Sequence, residues 1–411
     1  MSAGLLQQCF DGVAVKRLSA VEADINRSNQ HEFNASQSLK RLMGDSDRKY
    51  IPTRFLWMGG EQDAISEDAY LSWYDARRAH PVRSEYRFYF PNTAVMDAAC
   101  EGDSVFFAVC PDQTMMVIVT PAGSTMENQL AWLFGLENQP EMKFSIREFS
   151  EDTKPATEFA VRYILEELGL EVEEPETGHL DVMLERFGKQ FPATREFSAF
   201  ARETLKDVSP LDGPDAALMA WMEHEEILFR RLERHLVEER LQSGFVDNDG
   251  ADVDGFLKFS LSVQNRRKSR VGLAFENHLE EIFIQHRIRY ARGTVTENRS
   301  KPDFLFPSAE DYHNPSFPAA LLTMLGVKST CKDRWRQVLP EAARIERKHL
   351  ITLEPGISEH QTNEMREMNL QLVLPSPLHA TYKPSQQRWL VSLGQFLELV
   401  KKRQSEALSL L

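Results

Sequence analysis

The sequence predicts two domains of different class: a mainly-β N-terminal domain and a mixed α/β C-terminal domain. Three observations carry this. Residues 1–150 hold short runs in which apolar and polar residues alternate between turn signals. From Gly272 onward, helix-spaced and strand-like runs follow one another instead. Between the two lies an acidic stretch broken by Pro175-Glu176-Thr177-Gly178. The expected boundaries are 1–172 for the first domain, 173–182 for a linker and 183–404 for the second domain.

In the first domain, Gly12 to Leu18 alternates through Val13 and Val15. Phe55 to Met58 runs into Gly59-Gly60, and Tyr86 to Phe90 alternates aromatic with polar residues. Val105–Cys110 and Met115–Thr120 are two more strands, split by the turn at Pro111-Asp112. Many short strands of this kind suggest a barrel or a sandwich. Two stretches read as surface loops, Lys16 to Phe33 and Tyr74 to Asn92. The second carries Arg77, Arg78, Arg83 and Arg87 among aromatics. Arginines contact phosphates or guanine edges, while Asn and Gln suit adenine. Two solvated loops would show the same composition.

Residues 151–176 are expected to be helical and acidic, followed by helices over Leu180–Gln190, Ala193–Val208 and Pro214–Leu241. In the second domain Phe275, Leu279, Ile282 and Phe283 mark the apolar face of a helix. Strands are expected at Arg287–Arg292, Asp303–Phe306 and Leu321–Ser329. A helix over Lys332–Lys348 and a strand at His349–Leu353 follow. Helix Ser358–Met368, strand Leu370–Leu374 and helix Trp389–Lys402 complete the order.

The 411 residues suffice for two cores, and 42% of them are hydrophobic. No apolar run nears the roughly 20 residues that span a bilayer. The N-terminus lacks a basic start and a long apolar centre, so a cytoplasmic protein with no membrane partner is expected. Cys9, Cys100, Cys110 and Cys331 show no CxxC spacing, which predicts buried free thiols and argues against structural zinc. The net charge of −14 argues against a nucleic-acid partner, but its distribution does not. Phe256 to Leu350 holds 17 Lys or Arg against 10 Asp or Glu, whereas Ser150 to Glu185 holds 11 acids and 2 bases.

The basic segment also carries the candidate chemistry. Pro302-Asp303 opens the short apolar run Phe304-Leu305-Phe306, and the run from Leu321 to Val327 ends on Lys328. Adjacent strands would set Asp303 beside Lys328, an arrangement suited to metal-dependent phosphodiester cleavage. The usual pattern, PD…(D/E)xK, has an acid two residues before the lysine, and here that position is Gly326. Glu341, on the flank of the expected Lys332–Lys348 helix, could return a carboxylate to the gap, and Glu276 is a third candidate acid. Taken singly, each acid reads better as a solvated helix charge, and it is the four together, in the order Glu, Asp, Lys, Glu, that favour the chemical reading.

Lys332, Asp333 and Arg334 open the same helix. Base, acid, base is a set that suits a C:G pair, though it also suits a capped first turn. Lys268 lies among Arg266, Arg267 and Arg270 and reads as a phosphate contact, while Tyr312 reads equally as packing.

Several stretches together resemble the EcoRII restriction endonucleases. They are Asn265 to Arg270, Glu276 to Glu280, KPDFLFPSAEDYH from Lys301, and GVKSTCKDRWRQVLPEA from Gly326. The resemblance covers roughly residues 180–400 strongly and the N-terminal part weakly, through Lys16-Arg17-Leu18-Ser19. It implies an N-terminal DNA-binding pseudobarrel and a C-terminal restriction-endonuclease-like core, a mixed sheet with helices on both faces. It also implies Mg²⁺-dependent cleavage of double-stranded DNA at a palindromic CC…GG site such as CCWGG. The catalytic set would be Glu276, Asp303, Lys328 and Glu341, with Asp303 and Glu341 on the metal. A homodimer is implied, as is an N-terminal domain that binds an additional site. Two other readings stay open: a repair or resolvase-type nuclease on the same core, and a non-catalytic DNA-binding regulator.

Overall fold

The computed structural model describes residues 3–23, 31–35, 37–59, 64–80, 82–136, 145–148, 158–170, 179–247 and 250–409. The backbone divides into two compact units. One comprises Met1–Val172 with Pro355–Asn363 and Ala380–Gln387. The other comprises Glu173–Glu354, Glu364–His379 and Arg388–Leu411.

The first unit is built on one eight-stranded sheet. Its strands are β1 (Gly12–Arg17), β2 (Glu32–Asn34), β3 (Arg48–Trp57), β4 (Ile65–Asp75), β5 (Tyr86–Tyr89), β6 (Ser104–Val109), β7 (Met115–Thr120) and β8 (Ser145–Glu148). The spatial order is β2-β5-β4-β3-β7-β6-β1-β8, with β3 and β7 parallel and the other pairs antiparallel. The central strands SVFFAV and MMVIVT are buried along their whole length. Their alternate residues serve opposite faces, as a period of two requires. Phe107 and Val117 join Phe33, Trp73 and Phe88 in one apolar cluster, while Phe106 and Ile118 join Val13, Leu130 and Val161 in another.

The expected loops differ from what is found. Lys16–Phe33 contains the end of β1, a short helix (Ala20–Ala23) and part of β2, and residues 24–30 lie outside the described residues. The start of Tyr74–Asn92 is the end of β4, a strand that sequence patterning missed because its first half, Ile65 to Tyr70, contains no buried residue. The helix expected over 151–176 is described only at Glu158–Glu167. The thiols are free, but only Cys331 is buried, since Cys9 and Cys110 are half-buried and Cys100 is exposed.

The second unit starts with the helices Leu180–Phe187, Thr194–Thr204 and Pro214–Gln242, which share the cluster of Met183, Phe197, Phe200, Leu228 and Leu232. A small hairpin, β9 (Val246–Asp247) and β10 (Gly250–Ala251), leads into a helix over Val253–Gln285. This helix begins well before the expected Gly272, capped by the Asp252 side chain, which accepts from Gly255 N at 2.8 Å. Its first half was unreadable as an amphipathic helix because Phe256, Leu257 and Leu261 remain exposed.

A five-stranded sheet follows, ordered β11 (Ala291–Arg292), β12 (Phe304–Phe306), β13 (Thr323–Lys328), β14 (Lys348–Thr352) and β15 (Leu370–Val373). β12 runs antiparallel to β11 and β13, while β13, β14 and β15 are parallel. The expected strand Arg287–Arg292 shrinks to two residues because Arg287, at φ 55°, closes the preceding helix through Arg287 N to Ile284 O at 3.0 Å. The last helix is Leu393–Leu408, opened by a Ser392/Gln395 capping box. Buried Asp215 accepts from Leu393 N at 2.8 Å and Gly394 N at 2.9 Å at the start of that helix. Among the described residues no helix is long and apolar enough to cross a membrane.

The helix expected over Lys332–Lys348 is corrected. Only Lys332–Val338 is helical, as a 3₁₀ helix. Pro340 has no N–H to continue a helix, and Ala342 turns away at φ 48°. Glu341 therefore sits in an irregular segment rather than on a helix flank.

Candidate active site

The site grows from the end of the five-stranded sheet where β12 begins and β13 ends. Phe304, Leu305 and Phe306 are at most 1% exposed, and β13 is buried until Lys328. The apolar runs thus fix two neighbouring strands, and the register Phe304↔Leu325 brings Asp303 level with the last residues of β13. Asp303 Oδ2 accepts from Val327 N at 2.6 Å and from Lys328 Nζ at 3.2 Å. The predicted Asp–Lys pair is formed, with both side chains largely but not wholly covered.

Gly326 stands where the usual second acid would be. A β-carbon there would lie 2.9 Å from Val338 Cγ2 and 3.1 Å from Cγ1. Val338 is buried and β-branched, so it yields little. The close approach of the 3₁₀ helix to β13 excludes any side chain at position 326.

Glu341 follows that helix and is held through its neighbours. Glu341 N donates to Val338 O at 3.2 Å, Ala342 N to Thr296 Oγ1 at 3.4 Å, and Ala343 N to Glu297 Oε2 at 3.2 Å. The Arg344 guanidinium donates to Phe317 O at 2.8 Å, to Asn314 O at 3.0 Å and to Tyr312 O. Burial, and then the Asp303 carboxylate, push the Glu341 carboxyl up to about 7, opposed by Lys328 and Lys348. Its Oε2 is buried without a hydrogen-bond partner. A carboxyl pushed up by burial and then by a second carboxylate, with a bare buried oxygen, marks a place where a cation would be stabilised.

Glu276 is oriented differently. It lies on the Val253–Gln285 helix and pairs with Arg292 Nη2 at 2.7 Å, while Arg292 Nη1 reaches Glu280 at 2.9 Å and Asn277 Oδ1 at 3.3 Å. Among the described residues no three of His, Cys, Asp and Glu form a group that could hold a metal. The available donors are a pair, Asp303 and Glu341.

Sequence reasoning missed Arg292, because its pairing with two acids is tertiary. It also missed Lys348, whose ammonium is buried, pushed down by that burial, and bound to Ile345 O at 2.8 Å. A lysine just ahead of the expected His349–Leu353 strand was its only sequence signal.

The expected DNA contacts fall in two places. Lys268 is exposed on the Val253–Gln285 helix, and Lys332 and Arg334 are exposed between buried Cys331 and Trp335, with Asp333 between them in the 3₁₀ helix. Tyr312 is 1% exposed, and its hydroxyl donates to Glu297 Oε2 at 2.5 Å. In the first unit, Arg77, Arg78 and Arg83 lie in the exposed connection between β4 and β5, and Arg87 lies on β5. Three of the four are matched by nearby carboxylates. Arg87 pairs with Glu85 at 2.5 Å and Glu32 at 2.6 Å, Arg78 with Asp47 at 2.8 Å, and Arg77 with Glu85. The Glu85 and Glu32 contacts raise the Arg87 pKa above its ordinary value.

Residues 229–397 match the family model described as EcoRII C terminal. A curated relative, "Type II restriction enzyme EcoRII" from Escherichia coli, is 41% identical over 230 residues, which are 56% of this chain and 55% of the relative. The chain spans about half the length of that relative. The resemblance to EcoRII-type restriction endonucleases thus holds for the C-terminal part. Similar solved structures include "Metal-depleted Ecl18kI in complex with uncleaved, modified DNA". It is 19% identical, at a TM-score of 0.44, over 55% of this chain and 83% of that one. Another is "Restriction endonuclease PspGI-substrate DNA complex". It is 16% identical, at a TM-score of 0.43, over 53% and 94% respectively.

Proposed function

We propose that the chain is a type II site-specific deoxyribonuclease. It cuts both strands of double-stranded DNA at a palindromic CC…GG site of the CCWGG kind, as a cytoplasmic homodimer with Mg²⁺ as cofactor. The observation that carries this reading is the Asp303–Lys328 pair, electrostatically coupled to a Glu341 carboxyl with a bare buried oxygen.

Two carboxylates are the hard oxygen donors that Mg²⁺ takes, so the residues present fit the ion. Asp303 and Glu341 would hold it. When bound, such an ion polarises a phosphoryl oxygen and acidifies a water. Lys328, anchored by Asp303, orients the attacking water and offsets charge on the phosphate. Glu276 acts from the outer shell by holding Arg292, which pairs with Phe304 in register, next to Asp303. Lys332, Asp333 and Arg334 read base edges, and Lys268 contacts a phosphate. A palindromic target calls for two copies related by two-fold symmetry.

The first unit binds an additional copy of the site and regulates cleavage. Exposed Arg83 is its readiest cation, while Arg77, Arg78 and Arg87 would exchange carboxylates for phosphates or bases. Plasmid DNA incubated with Mg²⁺ and either Asp303→Ala or Lys328→Ala tests the central claim. Both variants are expected to leave the plasmid uncut, and full cutting by either would sink the assignment. Sequenced fragment ends that share no site would point to a repair or resolvase-type nuclease instead.

A further inference from the structure

Glu354 lies two residues beyond Thr352, the β14 neighbour of Lys328 in the parallel register. It is 3% exposed. Its Oε2 accepts from two successive amides, Cys331 N and Lys332 N, the second at 3.2 Å. Its own N–H donates to Thr352 Oγ1 at 3.2 Å, which ties the carboxylate to the end of β14.

The two captured amides enter the segment that leaves the Lys328 strand. Lys332 adopts φ 33°, a left-handed backbone that a lysine rarely takes without outside restraint. Cys331 is fully buried, and its carbonyl accepts from Arg334 N at 2.6 Å. One buried carboxylate therefore fixes the amides of Cys331 and Lys332, and through Cys331 the amide of Arg334. Backbone N–H bonds to an ionised carboxylate are stronger than neutral ones, which suits a turn that must not relax. The exposed ends of Lys332 and Arg334 project from this clamped backbone.

The geometry points to Glu354 as a positioning residue for sequence discrimination: it clamps the backbone that presents Lys332, Asp333 and Arg334 to base edges. This rests on the base-reading role given to that segment above. Buried as it is, Glu354 would act through that backbone and not by touching DNA or the reacting atoms.

The test uses the full chain, Mg²⁺ and a pool of random-sequence duplexes, with cut ends sequenced for wild type, Glu354→Ala, Glu354→Asp and Glu354→Gln. The readout is the ratio of cutting at the preferred site to cutting at sites with one base changed. Glu354→Ala should lower that ratio by about tenfold or more, the discrimination that one bidentate pairing with a base edge supplies. Glu354→Asp keeps the charge but withdraws it from the amides, so it should behave like Ala, and it carries the test if Ala does not fold. Glu354→Gln keeps the shared oxygen and should restore most of the ratio. Slower cutting with the ratio unchanged in Ala and Asp would overturn the proposal. Wild type that cuts at no defined site would instead overturn the site-specific reading on which it rests.

Discussion

Gly326 and Val338 approach so closely that no side chain fits between them: a β-carbon at 326 would fall 2.9 Å from Val338 Cγ2. The acid that the usual pattern puts at this position is absent, and Glu341 is the half-buried carboxyl that the Asp303 carboxylate acts on. Gly326→Ala is expected to destabilise the fold by about 1–3 kcal/mol, the usual cost of overpacking. Urea unfolding measures it. A variant as stable as wild type would mean that Val338 moves aside freely.

In the role proposed for it, Glu341 carries the opposite balance, useful to chemistry and costly to folding. It is half-buried with Oε2 enclosed, and the Asp303 carboxylate repels its charge. Glu341→Gln should raise the melting temperature of the metal-free protein, since it removes a charge with no hydrogen-bonded partner at Oε2. The same change should slow cleavage by about two to three orders of magnitude, the scale of removing a preorganised electrostatic group from the reacting centre. A variant that is both less stable and fully active would reverse the role given to this residue.

Legibility of the sequence followed the range of the forces involved. Asp303 and Lys328 were readable because one opens an apolar run and the other closes one, and neighbouring antiparallel strands bring such ends together. Glu341 was found by an argument that was wrong in its local structure. Trp335, Val338 and Ala342 have helical spacing and are all buried, yet Pro340 and the left-handed Ala342 end the helix early. The buried pattern survives in an irregular chain because it reflects packing on β13 and not helical pitch. Arg292 and Glu354 were invisible, since their partners lie 16 and 22 residues away along the chain. Arg78 and Arg87 were read as bare cations for the same reason, because Asp47 and Glu32 meet them only in the folded chain.

Tyr312 links packing to the site through one hydroxyl. It donates to Glu297 Oε2, the oxygen that also accepts from Ala343 N beside Glu341. Tyr312→Phe keeps the buried ring and removes only the donor. The loss should cost about 0.5–1.5 kcal/mol, the net worth of one hydrogen bond, because Glu297 is exposed and water can replace the donor. Cleavage should fall by about 10–100-fold, as for other residues that orient a ligand from behind. Thermal unfolding and initial rates check both, and a change in stability alone would confine Tyr312 to packing.

His349 sets an acid limit on the fold. It is 2% exposed on β14, 5.2 Å from the Phe396 ring, and its Nδ1 has no hydrogen-bond partner. Burial first, then Arg403 and Arg347, push its pKa down to about 3, against a backbone contact to Met324. The unfolded chain takes up a proton on this residue near its ordinary pKa of about 6.5, while the folded chain refuses it. Stability from the neutral ring is therefore complete above about pH 6.5 and drains away as pH falls towards 3. The slope approaches about 1.4 kcal/mol per pH unit for one proton bound only by the unfolded state. His349→Phe removes the titration and adds an apolar ring beside Phe396. The difference in unfolding free energy between wild type and variant, measured from pH 7 to pH 4.5, should grow in favour of the variant as pH falls. A difference that stays flat would mean that the folded protein accepts the proton after all, with the sheet opening locally around β14.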